Sequence, residues 1–253
     1  MAEGPVLPPV VARMWGRDPV SRHGPRPSLR LEGITAAAIG IADAEGLAGV
    51  RMSSVARSMG VATMSLYRYV GSKDELLVAM ADAAVPAPPE PEGTGWRDYL
   101  TVWTRANRDF LLDRPWLLHI TSFAPPMGPR SLLWLDRGLA ALADTGLGTG
   151  ERMNVASTLT GYAVSHAGLA LGAVGQEPPG EEAVAGLAEY SAILAEVLDP
   201  ENYPALAAAV GEGAFGGGDD WIDDGDFGFG LDLLLDGIEA LIAARRGAHP
   251  RTV

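Results

Sequence analysis

From Ser53 to Leu77 the chain reads SSVARSMGVATMSLYRYVGSKDELL, and a simple periodicity separates the side chains in it that can do chemistry from those that cannot. Val55, Met59, Val61, Leu66 and Tyr69 fall at the inward spacings of two short helices. Thr63, Met64, Ser65, Tyr67 and Arg68 are left to point elsewhere, and Lys73 follows them. Hydroxyl, guanidinium and small apolar groups suit the base edges of a DNA major groove, while phenolic or basic groups at the rim suit phosphates. The chemistry on offer is a set of weak contacts to a duplex rather than bond making.

Other candidate signals fail their context. Residues 211–216 match G-x-G-x-x-G, yet no strand precedes them and glycines and aspartates follow in place of a helix start. Asp219, Asp220, Asp223, Asp224 and Asp226 cluster without the alternate ligands, central glycine and closing glutamate of a calcium loop. The four histidines, at 23, 119, 166 and 249, lack metal-ligand spacing, and no G-x-S-x-G, H-E-x-x-H or Walker pattern occurs. The expectation is no metal, no cofactor and no enzyme. A helical enzyme would need paired catalytic groups that the sequence does not display.

The outward set needs a scaffold, and the flanking sequence supplies one. Leu31, Ile34, Ala38, Ile41 and Ala44 predict a helix over 29–46 closed by Gly46, although Gly33 and Gly40 each cost about 1 kcal/mol relative to Ala, so packing must hold it. A second helix is expected over 54–59 behind a Ser53 cap, with Ala56 as the small residue at the crossing and Gly60 in the turn. A third covers 63–69, and Ser72 with Glu75 forms a capping box that opens another over 72–84. Together these are a helix-turn-helix with its supports. The run PAPPEPEGTG, residues 86–95, then interrupts any helix. Helical periodicity returns at about 96–112, 115–122, 130–145, 150–173, 181–198, 203–210 and 226–246, which predicts an all-α fold.

This stretch closely resembles the N-terminal domain of the TetR/AcrR family of transcriptional regulators, whose helix pair ends in a pattern like L-Y-x-H/Y-F/V-x-x-K-x-x-L-L. Leu66-Tyr67-Arg68-Tyr69-Val70-Gly71-Ser72-Lys73-Asp74-Glu75-Leu76-Leu77 stands in that place, and Ile41-Ala42-Asp43-Ala44-Glu45-Gly46 resembles the end of the family's first helix. The resemblance implies that Thr63, Met64 and Ser65 read bases and that Tyr67, Tyr69 and Lys73 grip the backbone. It implies that Ser53 opens the helix crossing the phosphates and that Arg68 adds a base or phosphate contact. It also implies operator DNA and a small-molecule effector as partners, with an all-α N-terminal three-helix DNA-binding domain over 28–75. A helical ligand-binding and dimerisation domain would fill 76–253, with residues 76–85 as the lever between them.

The C-terminal part resembles the tetracycline-repressor subclass, in which two late helices from each subunit form a four-helix dimer interface. Here these would lie near 150–172 and 227–245, and Phe227, Leu231, Leu234 or Leu235, Ile238 and Leu241 or Ile242 would form an apolar stripe buried against the partner of a homodimer; packing wholly within one subunit is the alternative. Thr121 and Ala170 stand where that subclass supplies a metal-binding His and Glu, so magnesium-tetracycline is not expected. The pocket would be lined from Trp103, Asn107, Trp116, His119, Phe123, Trp134, Tyr162 and His166, an aromatic group suited to a bulky, mostly apolar ligand, with core packing the competing role for each. A repressor released by such a ligand is the expected function; an activator or a protein-responsive regulator of the same fold is the alternative.

The overall charge of −13 hides an uneven distribution. Residues 1–80 hold nine Lys/Arg against seven Asp/Glu, and the remaining 173 hold ten against twenty-five, so the basic excess accompanies the expected DNA-binding part. Arg13, Arg17, Arg22, Arg26 and Arg30, with His23, precede the first convincing helix in a Pro- and Gly-containing segment, read as a flexible basic arm over 1–27 that is either a solvated tail or a DNA-touching arm. The absence of cysteine, of a leader-like apolar segment and of a long uncharged apolar run leads to the expectation of a cytoplasmic protein that does not span a membrane.

Overall fold

The computed structural model describes residues 7–17, 29–91, 93, 95–120, 126–172, 191–213 and 224–248, and among them there is no strand. The chain folds as two compact units, Met1–Asp144 and Thr145–Val253. Residues 28–75 and 76–144 fall in the first of these units.

The first unit opens on a helix that the sequence does not announce. The composition of residues 1–27 predicts a flexible arm, but α1 (Pro9–Met14) starts on a proline at its first position and buries Val10 and Val11. They pack with Ala79, and Met14 and Leu31 close over them. Two adjacent β-branched residues in a Pro-rich stretch give no helical period, so only the surface that they cover marks this turn as ordered. Arg22, His23 and Arg26 of the expected arm lie outside the described residues.

Helix α2 (Leu31–Gly49) buries Ile34, Ala38 and Ala42, as its periodicity requires. Its regular part ends where expected: Gly46 has φ +66°, and a further turn runs on to Gly49. Helix α3 (Met52–Ser58) follows, with Val55 and Ala56 buried. Its capping role falls to Ser54 and not to Ser53: the Ser54 hydroxyl accepts the Arg51 N–H at 3.0 Å and donates to the Gly49 carbonyl at 2.7 Å. The helix begins earlier than expected, which places Ser53 inside it and exposed. Gly60, at φ +66°, turns the chain, and the Val61 N–H reaches back to the Ala56 carbonyl at 3.0 Å. Only a residue tolerant of positive φ makes that reversal cheaply.

Helix α4 is a single turn, Thr63–Leu66, shorter than the expected 63–69. Residues 67–69 continue as a turn, in which the Tyr69 and Val70 N–H groups both donate to the Leu66 carbonyl, at 2.8 and 2.9 Å. Helix α5 (Lys73–Ala84) starts on Ser72, whose hydroxyl accepts the Glu75 N–H at 3.1 Å. The Glu75 carboxylate reaches back to the Gly71 N–H at 2.9 Å, one residue earlier than the standard capping box.

Helix α6 (Trp96–Asp113) buries Tyr99, Leu100, Trp103, Thr104, Asn107 and Leu111 along one face. The Tyr99 phenol, whose pKa burial raises against the opposing effect of Arg137, donates to the Pro89 carbonyl at 2.9 Å and so anchors the proline-rich loop. The segment expected as a helix over 115–122 is instead a 3-10 turn, Pro115–His119. Helix α7 (Pro129–Ala141) follows, and a second 3-10 turn spans Ala143–Thr145.

In the second unit, α8 (Thr149–Gly172) lies against α11 (Asp224–Ala248), with α9 (191–197) and α10 (Pro204–Gly211) between them in sequence. Tyr162 stacks on Phe227 with ring centroids 5.0 Å apart and donates to the Phe227 carbonyl at 2.9 Å. This close approach requires Gly230, because a Cβ there would collide with the Tyr162 phenol. The apolar stripe of α11 does not await a partner. Phe227, Leu231, Leu235, Ile238 and Ile242 are all buried within the chain itself. What α11 leaves outward is Phe229, 70% exposed, and Leu233, 58% exposed.

Candidate nucleic-acid interface and effector region

The helix pair presents its polar side outward. Leu66, Val55 and Val70 are fully buried, whereas Met64 is 74% exposed, Tyr67 43% exposed, and Arg68 and Lys73 lie at the surface. Thr63, Ser65 and Tyr69 are half-buried on the same short run, and Met59 and Val61, expected inward, are half-buried too. Val70, which the spacing does not single out, is a third full anchor beside Val55 and Leu66. All eight expected DNA-facing residues fall on α3, α4, the turn after α4 or the first residue of α5. The Ser72 cap fixes where α5 starts, and therefore where Lys73 stands relative to Tyr67 and Tyr69.

Two joints tie this part of the first unit to the 3-10 turn and α7. On α5, the buried Asp82 carboxylate accepts the Ser131 N–H and hydroxyl, both at 2.8 Å, and the Arg130 N–H at 3.3 Å. It therefore caps α7 from another helix, and Gly128 is required beside it because a Cβ would meet the carboxylate. Arg130 returns the contact, donating to the Ala83 and Val85 carbonyls at 3.1 Å each. On α2, Asp43 accepts the Trp116 indole N–H at 2.7 Å and lies 3.4 Å from the Arg114 guanidinium. Sequence reasoning missed both aspartates. The available signals were a carboxylate within an apolar helical run, at Asp82, and a Gly-Pro start with no Ser, Thr, Asp or Asn cap of its own, at Gly128 and Pro129.

The expected ligand-binding residues among those described lie in both units. Trp103 is 1% exposed and donates to the Trp134 carbonyl at 3.1 Å; Trp134 donates to the Pro86 carbonyl at 2.8 Å. The two indoles lie 5.8 Å apart, with Phe110 edge-on to Trp134. Asn107 is buried beside them on α6, Trp116 is held by Asp43, and His119 is exposed. In the second unit Tyr162 and His166 both pack on Phe227. Phe123 lies outside the described residues. A cleft of about 250 Å³ opens elsewhere, between α1, α2, α5 and the start of α7, with Arg13, Glu32, Thr35, Asp82 and Arg130 on its walls. None of the expected ligand residues borders it.

Comparison with known proteins decides the family. Residues 34–80 match the family described as bacterial regulatory proteins, tetR family, and residues 87–242 match the tetracyclin repressor-like C-terminal domain. The chain belongs to the TetR family. TetR-family membership makes it an all-helical, helix-turn-helix DNA-binding transcriptional regulator. Among proteins similar to it, the HTH-type transcriptional repressor DrrR1 of Streptomyces coeruleorubidus is 35% identical over 240 residues, covering 92% of this chain and 86% of that one. A second relative, an HTH-type transcriptional repressor of Mycobacterium tuberculosis, is 26% identical over 226 residues, covering 86% of this chain and 83% of its own. Among solved structures, that of the TetR family protein ActR of Streptomyces coelicolor in complex with actinorhodin superposes with a TM-score of 0.69 at 25% identity, covering 85% of this chain and 97% of that one.

Proposed function

We propose that this chain is a homodimeric repressor that releases a pseudo-palindromic operator when a bulky, mostly apolar small molecule binds its helical body. The observation that carries the reading is the sidedness of α4 and the turn after it: Leu66 is buried while Met64, Tyr67 and Arg68 face solvent with Lys73 beyond them. In this reading Thr63, Met64 and Ser65 meet bases, Tyr67, Tyr69 and Lys73 grip phosphates, Arg68 supports either, and Ser53 lies on the helix that crosses the backbone. The functional division remains residues 28–75 for DNA and 76–253 for ligand and dimer. DrrR1 is named a repressor, and the ActR structure holds actinorhodin, which supports a repressor that answers to a small molecule.

The aromatic group of α6, the 3-10 turn and α7 is the proposed effector region, with Trp103, Trp116 and Trp134 as its apolar surface and the buried Asn107 amide as its polar contact. The joints at Asp82 and Asp43 give a ligand there a route to α5 and α2. A shift of α7 or of the 3-10 turn then alters the separation of the two recognition helices, which must be about 34 to 36 Å apart to enter successive major grooves. The proposed dimer uses the outward faces of α8 and α11, with Leu169, Phe229 and Leu233 as apolar contacts. The test is selection of DNA by the full chain from a random duplex pool, followed by mobility shifts with and without polycyclic aromatic compounds. A pool that yields no enriched two-fold sequence would sink the proposal.

A further inference from the structure

We propose that Arg13 is a positioning residue for operator recognition: its guanidinium, delivered by a six-residue helix outside the helix-turn-helix, fixes the end of the segment that meets DNA. This rests on the reading that Thr63 to Lys73 faces the operator. Arg13 Nη1 donates to the backbone carbonyl of Tyr69, fifty-six positions along the chain. Tyr69 ends the turn after α4, where the Tyr69 and Val70 N–H groups share the Leu66 carbonyl. A one-turn helix has little cooperative stability of its own, and its terminal carbonyls need outside donors. The Leu66 carbonyl is met by the Tyr69 and Val70 N–H groups, and the Arg13 guanidinium meets the Tyr69 carbonyl that ends the following turn, where a cation complements the direction of the peptide dipoles.

The helix that carries Arg13 is held independently of that contact. Val10 and Val11, 3% and 4% exposed, seat α1 against Ala79 of α5. At its other end the Trp15 indole donates to the Met127 carbonyl at 2.8 Å, in the segment that enters α7. α1 is therefore a brace with three attachments: the turn bearing Tyr67 and Tyr69, the helix bearing Asp82, and the entrance to the helix that Asp82 caps. Arg13 is half-buried with its guanidinium on the protein, which suits holding the turn in place rather than meeting a phosphate.

The duplex that the full chain selects from a random pool is the probe, titrated by fluorescence anisotropy at several salt concentrations with wild type, Arg13→Gln, Arg13→Lys and Lys73→Ala. Arg13→Gln is expected to weaken binding about tenfold, the loss of one hydrogen bond to a charged donor, with the salt slope unchanged. Amide exchange of residues 67–71 speeds up, the melting temperature stays with wild type because Val10 and Val11 remain seated, and Arg13→Lys recovers most of the affinity. A salt slope lower by about one, as for Lys73→Ala, would make Arg13 a phosphate contact and overturn the proposal. Unchanged affinity, or weaker binding that tracks a lower melting temperature without faster exchange at 67–71, also overturns it. A wild type that selects no duplex removes the DNA reading itself, a different failure from a wild type that binds and an Arg13→Gln that binds equally well.

Discussion

The carboxylate of Asp82, near the end of α5, accepts the backbone N–H of Ser131 at 2.8 Å in the first turn of α7, so one helix supplies the N-terminal cap of another forty-nine residues away. Asp82 is 7% exposed, and it also accepts the Ser131 hydroxyl. Replacing it leaves the part-buried Ser131 and Arg130 donors without this acceptor, at a cost of about 1 to 2 kcal/mol. Asp82→Ala should lower the melting temperature by several degrees, and Gly128→Ala should do so too by pushing into the same carboxylate. Thermal unfolding of both variants checks this; wild-type stability in Asp82→Ala would remove the cap from the account.

Leu66 and Met64 are two residues apart on a single helical turn and have opposite fates, one fully buried and one 74% exposed. Leu66→Ala should cost about 2 to 5 kcal/mol in denaturant unfolding. Met64→Ala should stay within about 0.5 kcal/mol of wild type while altering which duplexes are retained. Equal stability losses in the two variants would contradict the sidedness of α4.

Lys73 stands exposed as the first residue of α5. Lys73→Ala should weaken operator binding similarly across sequences and lower the salt slope by about one, whereas Thr63→Ala and Ser65→Ala should change preference at particular bases. Mobility-shift titrations across salt separate the two behaviours, and an unaltered slope for Lys73→Ala removes it from the phosphate contacts.

Phe229 and Leu233 sit one helical turn apart on the outer face of α11, opposite the stripe that the chain buries itself. A charge at Leu233 should convert the proposed dimer to monomer without unfolding it, so Leu233→Glu is expected to halve the mass measured by light scattering. The same substitution at Leu235, which is fully buried, should unfold the second unit instead. A Leu233→Glu protein of unchanged mass would place the interface elsewhere.

Glu151 at the start of α8 accepts the Arg245 guanidinium at 2.7 Å and the Gly148 N–H at 2.9 Å. The arginine first, and the amide second, hold its carboxyl below the ordinary value of 4.5. A carboxylate lowered on folding stabilises the fold above its unfolded pKa, and that contribution is lost as pH falls through the folded value. The pair lies at the surface, so the effect is small and is screened by salt. In Arg245→Ala the Glu151 titration, followed by carboxyl NMR, should move up toward the ordinary value, and the acid-side loss of stability should shrink. A Glu151 titration indifferent to Arg245 would dissolve the pairing.

How much was legible in the sequence follows from the range of each interaction. The helix-turn-helix was readable because its determinants are local: Gly60 must reverse the chain, Ser72 and Glu75 satisfy donors within four residues, and Leu66 differs from Met64 by its angle around one turn. The all-helical class was readable for the same reason, and so were most helix positions, although Ser54 in place of Ser53 shows that a choice between adjacent caps rests on backbone geometry.

Periodicity says which side of a helix wants burial, but not what will cover it. The stripe from Phe227 to Ile242 was legible as apolar, and only packing showed that the chain covers it itself, leaving Phe229 and Leu233 outside. Val10 and Val11 read as part of a loose tail until Ala79 supplies the surface that orders them. Asp82 and Asp43 carry no local mark of their partners, because a side chain that caps or receives a group dozens of residues away leaves no spacing to read. Composition and short-range order thus determined the fold class and which side chains of the helix pair point outward; closure of the chain on itself decided how that pair is braced and which apolar side chains of α11 stay outside.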